Sequence, residues 1–98
     1  MARLSVESTE YVHSTVTADQ DVTGDPVQWA FTTRHAWPDA TTTWVDGEWV
    51  PGAGGTAVAR LLVGPAGHEL VPDSYSVWLR ITDSPERPVK FVGYLTIT

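Results

Sequence analysis

Leu70-Val71-Pro72-Asp73-Ser74-Tyr75-Ser76-Val77-Trp78-Leu79-Arg80-Ile81-Thr82 alternates without a break once it has passed Asp73. Tyr75, Val77, Leu79 and Ile81 fall on one side; Ser76, Trp78, Arg80 and Thr82 fall on the other. A period of two places successive side chains on opposite faces of an extended chain, so this run is a strand with one face turned to a core. Pro72-Asp73 before it and Asp83-Ser84-Pro85-Glu86-Arg87-Pro88 after it are turn and loop sequences that bound the element.

Working outward, the same pattern recurs. Val89 to Thr98 reads as a last strand, with Val89, Phe91, Leu95 and Ile97 on one face and Lys90, Val92, Tyr94 and Thr96 on the other. Thr56 to Val63 is apolar enough to begin a helix, but Gly55 precedes it and Gly64-Pro65-Ala66-Gly67 follows, which leaves room only for a strand. Val27, Trp29 and Phe31 alternate with Gln28, Ala30 and Thr32. Glu10 to Ala18 forms a further strand with Val12 and Val16 on one face, and Arg34 to Thr42 is a loop carrying His35, Trp37 and Pro38. Asp46-Gly47 between two β-rich runs predicts a type I′ hairpin turn. That register sets Trp44 against Trp49. Thirteen Val and thirteen Thr supply the stiff, branched side chains that suit a pleated surface.

The expected architecture is a single all-β domain over residues 1–98, with residues 1–9 as an extended N-terminal arm. About seven short antiparallel strands would form two sheets packed face to face. Leu70-x-Pro72-Asp73-x-Tyr75-x-Val77 resembles the tyrosine-corner region of immunoglobulin-like domains, in which a Tyr precedes the penultimate strand. The chain has no Cys, so the resemblance is to the wider Ig-like sandwich class and not to antibody domains.

Charge narrows the functional classes. Six Lys and Arg against twelve Asp and Glu give −6. Arg3 and Arg34 are the only cations among residues 1–48, which therefore carry the whole excess. Nucleic-acid binding needs a cationic footprint, and so does an anionic membrane surface; neither partner is expected. No disulfide can form. The opening residues hold no apolar run of signal-peptide length, and no window is long and apolar enough for a membrane-spanning helix.

The polar groups offer no catalytic constellation. Asp19, Asp21 and Asp25 with Gly24 are oxygen ligands at loop spacing, but they do not match an EF-hand loop and read as a polar turn. His13, His35 and His68 stand too far apart for metal-ligand spacing. Ser74, Ser76 and Ser84 lie in no nucleophile motif, and Gly52-x-Gly54-Gly55 lacks the Lys and helix of a phosphate loop. No enzyme activity, metal or cofactor is expected.

Tryptophan is the anomaly, with five in 98 residues. Trp29 belongs to the core. Trp78 lies on the polar side of its strand, and with Arg80, Val92 and Tyr94 it makes a candidate partner-binding patch if the last two strands are neighbours. Trp, Tyr and Arg are favoured anchors of such surfaces, although a guanidinium of Arg80 over Trp78 would be a purely local cover. Trp37, Trp44 and Trp49 could instead present stacking rings to a glycan.

Three stretches carry a family resemblance: Val63-Gly64-Pro65-Ala66-Gly67, the run from Leu70 to Val89, and Gly93-Tyr94-Leu95-Thr96-Ile97-Thr98, with Ser8-Thr9-Glu10-Tyr11-Val12 and Gly24-Asp25-Pro26-Val27 in support. Together they resemble small Ig-like virion proteins of tailed phages infecting actinobacteria, which are encoded near capsid and head-to-tail connector genes. More distantly, the chain is similar to the Ig-like domain that opens siphophage baseplate upper proteins. The resemblance implies a non-enzymatic structural protein, made in the host cytoplasm and assembled into the virion. Its partners would be capsid, portal, connector or tail proteins, bound in many copies on a symmetric particle. A carbohydrate-binding adsorption module on the tail tip or capsid surface is the alternative.

Overall fold

The computed structural model describes residues 2–17, 23–51, 56–82 and 87–98. Every regular element in it is a strand: β1 (Ala2–Leu4), β2 (Glu10–Val16), β3 (Val27–Thr33), β4 (Val45–Asp46), β5 (Glu48–Pro51), β6 (Ala57–Val63), β7 (Asp73–Ile81) and β8 (Val89–Ile97). They form a five-stranded sheet in the order β1-β8-β7-β3-β4 and a three-stranded sheet in the order β2-β6-β5. The β8-β7-β3 and β2-β6-β5 orders reproduce the two sheets of an immunoglobulin-like sandwich.

The alternating residues meet between the layers. Val27, Trp29, Val77, Leu79, Ile81, Leu95 and Ile97 from the larger sheet pack with Val16, Ala59, Leu61 and Val63 from the smaller. Trp29 is wholly buried (0% exposed) on the third strand, where Ig domains also place a core Trp. With no cysteine to bridge the sheets, burial of apolar surface carries the packing.

The tyrosine corner forms as expected. The Tyr75 hydroxyl donates to the Val71 carbonyl at 2.7 Å and ties the turn to the start of β7. Burial first, and the Asp73 charge second, push the phenol pKa up, so it stays a donor. Tyr75→Phe removes one hydrogen bond at nearly constant volume. It is expected to cost about 1 kcal/mol, read as a loss of about 4–8 °C in Tm by thermal unfolding.

Four details differ from the sequence reading. Residues 2–4 are not part of an extended arm. β1 pairs in parallel with β8, Ala2 opposite Leu95 and Leu4 opposite Ile97, and Val6 N–H donates to the Thr98 carbonyl. Among the described residues the sandwich therefore has eight strands, and the β1–β8 pair is parallel.

Asp46-Gly47 makes no hairpin. β4 pairs with β3 in one sheet, whereas β5 pairs with β6 in the other. The dipeptide is thus the point where the chain crosses between layers. Gly47 does not have the positive φ that a type I′ turn requires. It is needed for clearance: a Cβ there would lie 2.5 Å from Cδ1 and Nε1 of Trp29 and 3.0 Å from the Arg60 carbonyl oxygen.

Trp44 and Trp49 consequently face different surroundings and do not pair. Trp49 packs against the core and donates its indole N–H to the Asp25 carbonyl at 2.9 Å.

The fourth difference is an irregularity in β8. Val77 pairs with Gly93 but Trp78 pairs with Phe91, so Val92 is an extra residue. An inserted residue reverses facing on one side of it. Val92 turns inward onto the core and Phe91 turns outward.

Candidate functional site

The outer face of the five-stranded sheet carries the most distinctive chemistry of the molecule. Trp78 sits at its centre, on the outward side of β7 as the alternation requires. It is nonetheless only 4% exposed, because other rings cover it. Trp37 lies across it at 4.8 Å between ring centroids, and Phe91 meets it edge to face at 5.3 Å. Phe91 continues to Tyr94 at 5.1 Å, and Tyr94 to the His35 imidazole at 5.4 Å. Such tilted and edge contacts suit the quadrupoles of aromatic rings. The outermost rings stay in solvent, Trp37 77% and Phe91 48% exposed. Between them opens a cleft of about 550 Å³ lined by His35, Trp37, Ser76, Trp78, Phe91 and Tyr94.

The loop that follows β3 is held in place by short bonds. Thr32 Oγ1 donates to the Ala36 carbonyl at 2.7 Å and accepts the Trp78 indole N–H at 3.0 Å. His35 has φ of 71°, a conformation uncommon for a residue other than glycine. Its backbone N–H donates to the buried Ser76 hydroxyl oxygen at 2.8 Å. Beyond Trp37, Asp39 organises a compact turn, accepting from the Thr41 N–H at 2.8 Å and the Thr41 hydroxyl at 2.6 Å. These bonds hold the Asp39 carboxyl below its ordinary pKa. Trp37 is therefore carried on a structured loop, and little ordering entropy remains to be lost on binding.

Two guanidinium groups border the aromatics. Arg34 lies over the Tyr94 ring, 4.5 Å from its centroid, and Arg80 lies over Trp44 at 4.3 Å. Arg80 also donates through Nε (3.0 Å) and Nη2 to Gln28 Oε1, and Gln28 Nε2 donates to Asp46 Oδ1 at 3.0 Å. Desolvation, then the Arg87 charge, lowers the Arg80 pKa.

Of the expected partner-binding residues, Trp78, Arg80 and Tyr94 share this face. Val92 does not, for the reason given by the extra residue in β8, and Phe91 takes its place. Arg80 covers Trp44, not Trp78. Of the expected stacking rings, Trp37 and Trp44 lie on this face, and the half-buried Trp49 packs against the core instead. His35, Arg34 and Phe91 were missed by sequence reasoning. Gly93 inside a strand was the available signal for Phe91, since a mid-strand glycine often marks a bulge.

Among the described residues the remaining polar groups do not converge. Ser76 meets the backbone of His35 while the imidazole Nδ1 shares a hydrogen bond with the Tyr94 hydroxyl at 3.2 Å, so the ring is not directed at the serine oxygen. Among the described residues no group of three or more His, Asp or Glu could hold a metal ion. Asp19, Asp21, Ser84 and the Gly52-x-Gly54-Gly55 segment lie outside the described residues. What the outer face can do chemically is stack on flat apolar groups, present cations over π faces and exchange a few hydrogen bonds.

His68 belongs to a different place. It stacks on Phe31 at 5.5 Å beside the turn after β6. Burial lowers its pKa from the ordinary 6.5. The unfolded chain therefore binds this proton more readily than the folded one, and stability rises with pH across that interval. Its contribution is full above about pH 6.5 and is lost as the pH falls toward the depressed folded value. His68→Gln is expected to show a smaller drop than the wild type in denaturant midpoint between about pH 7.5 and pH 5.

No protein-family model matches the chain, and no curated protein matches it.

Proposed function

We propose that this chain is a non-enzymatic structural protein of a phage particle, docking on the capsid or head-to-tail connector through the outer face of its five-stranded sheet. The observation that carries the reading is the exposed pair Trp37 and Phe91 over a buried Trp78, bordered by Arg34 and Arg80. Aromatic and arginine side chains are the usual anchors of protein interfaces, and large rings left in solvent on so small a domain mark a contact surface. The resemblance to Ig-like virion proteins supplies the setting. The acidic first half suits a basic neighbouring surface, and many copies on a symmetric shell let a small contact per copy suffice through multivalency. Electron microscopy of the particle tests the reading. Density for the sandwich is expected on the capsid or connector with the aromatic face turned inward against a neighbour. Particles that carry no such density overturn it.

A second reading is favoured by one specific feature, the nearly bare indole of Trp37 with Trp44 on the same face. A flat exposed ring of this kind stacks on the apolar face of a sugar, which would make the chain a carbohydrate-binding adsorption module. Binding on a glycan array that Trp37→Ala abolishes supports this alternative; a blank array counts against it.

A further inference from the structure

The free sheet edges of the molecule are not alike. β4 has two residues and β1 three, and β1 carries Arg3. β5 has four, with Glu48 at one end and Pro51 at the other. The length of β8 that β1 leaves open holds Lys90 and the extra residue Val92. Brevity, charge, proline and bulges are the devices by which sheet edges avoid pairing with other chains.

β2 is neither short nor interrupted by proline or a bulge. Glu10-Tyr11-Val12-His13-Ser14-Thr15-Val16 is a regular seven-residue strand paired on one side only, with β6 in unbroken register. It holds no proline, lysine or bulge, and its single carboxylate stands at one end. In an antiparallel ladder alternate residues turn both N–H and C=O to the same side. The outward-turned groups of β2 have no strand partner among the described residues. The sandwich is also open along this side: a cavity of about 400 Å³ reaches in past Val12 and Val92 to Trp29.

We propose that β2 is a self-association edge, at which two copies of this chain join antiparallel about a two-fold axis into one continuous sheet. The strand is complementary to itself. With the axis perpendicular to the sheet, inner residues must face inner residues. The register that uses the whole strand centres on His13. It sets Glu10 against Val16 of the second copy, Tyr11 against Thr15, and Val12 against Ser14. No like charges oppose each other, and the half-buried Val12 and exposed Tyr11 gain cover. A single isologous contact of this kind closes at two subunits and leaves only the short or charged edges, which resist further pairing. This surface belongs to the other sheet, so the inference stands independently of the aromatic face.

Sedimentation velocity on the purified chain from about 1 to 200 µM tests it, since that range covers edge contacts of modest affinity. The wild type is expected to shift from monomer to dimer. His13→Glu places two carboxylates against each other at the axis, while within one chain it faces Arg60 across the β2–β6 ladder, so the fold is retained. Directly opposed like charges are expected to raise the dimer Kd about five-fold. His13→Lys should do the same alone, and a 1:1 mixture of the two variants should recover association. A wild type that stays monomeric at the highest concentration overturns the proposal and leaves the edge for a strand of another protein. A dimer indifferent to both variants also overturns it. Unchanged circular dichroism of the variants separates either result from misfolding.

Discussion

Gly47→Asn is expected to destabilise the domain by about 3 kcal/mol, the upper range for forcing extra atoms into a packed core. For a chain of this length that corresponds to roughly 12–24 °C in Tm. Asparagine is the informative replacement because it separates two accounts of Asp46-Gly47. In a type I′ hairpin turn, asparagine accepts the left-handed conformation and costs little. In the structure the residue lies where β4 leaves one sheet and β5 enters the other. Its α-carbon rests against the pyrrole edge of Trp29, which is fully buried. A Cβ 2.5 Å from that edge has to displace the indole or the Arg60 carbonyl behind it. The Trp29 indole N–H lacks a hydrogen-bond partner among the described residues, so the expected cost comes from the added bulk and not from the polarity of the asparagine amide. Urea unfolding of wild type and variant measures the difference. A midpoint within a few tenths of a molar of wild type would mean that the crossing is a turn after all.

The contrast between this site and β7 shows what a sequence carries in plain view. The β7 alternation and the Leu70–Tyr75 corner are local. Each residue's facing follows from its neighbour's, and the Tyr75 bond reaches only four residues back. Trp29 in the core follows from the same local periodicity, and β6 as a strand follows from the glycines that bound it. Asp46-Gly47 failed because its turn chemistry is also local, whereas the pairing that overrode it is not. β4 is drawn back to β3, Val45 opposite Trp29, and β5 forward to β6, Glu48 opposite Arg60, so the two halves of the dipeptide's surroundings pair away from each other. A glycine's need for clearance against a distant indole leaves no mark in its own dipeptide.

Val92 failed for a related reason. The alternation from Val89 to Ile97 looks continuous on paper, because one inserted residue exchanges faces without interrupting the apolar pattern on either side. The consequence reaches the candidate site directly. The exchange removes Val92 from the outer face and delivers Phe91 to it, so the ring that completes the cover over Trp78 was hidden by the irregularity that placed it there. His35 is a comparable case. Its left-handed backbone is held by Ser76, 41 residues away, and no local propensity announces it.

Replacing Trp37 and Phe91 together by serine is expected to abolish docking while leaving the fold intact. Truncating a central aromatic anchor commonly costs 2 kcal/mol or more of binding free energy, about a 30-fold loss in affinity at each contact. Contacts made in many copies on one particle multiply that loss, since simultaneous engagement depends on every weak bond being present. The fold is protected because both rings lie outside the inter-sheet core, and the chief structural cost is partial exposure of Trp78. Val71→Ser supplies the control: it removes an equally bare apolar side chain, 70% exposed, from the corner before β7 and away from the aromatic face. Under the proposed reading, particles assembled with both wild-type and variant chains available should incorporate the wild type and the Val71→Ser chain and exclude the double variant, as quantified by mass spectrometry of purified virions. Equal incorporation of the double variant would remove the aromatic face from the assembly. If the double variant instead lost glycan binding and kept its place on the particle, the indole of Trp37 would belong to adsorption, and the docking surface would have to be sought elsewhere on the sandwich.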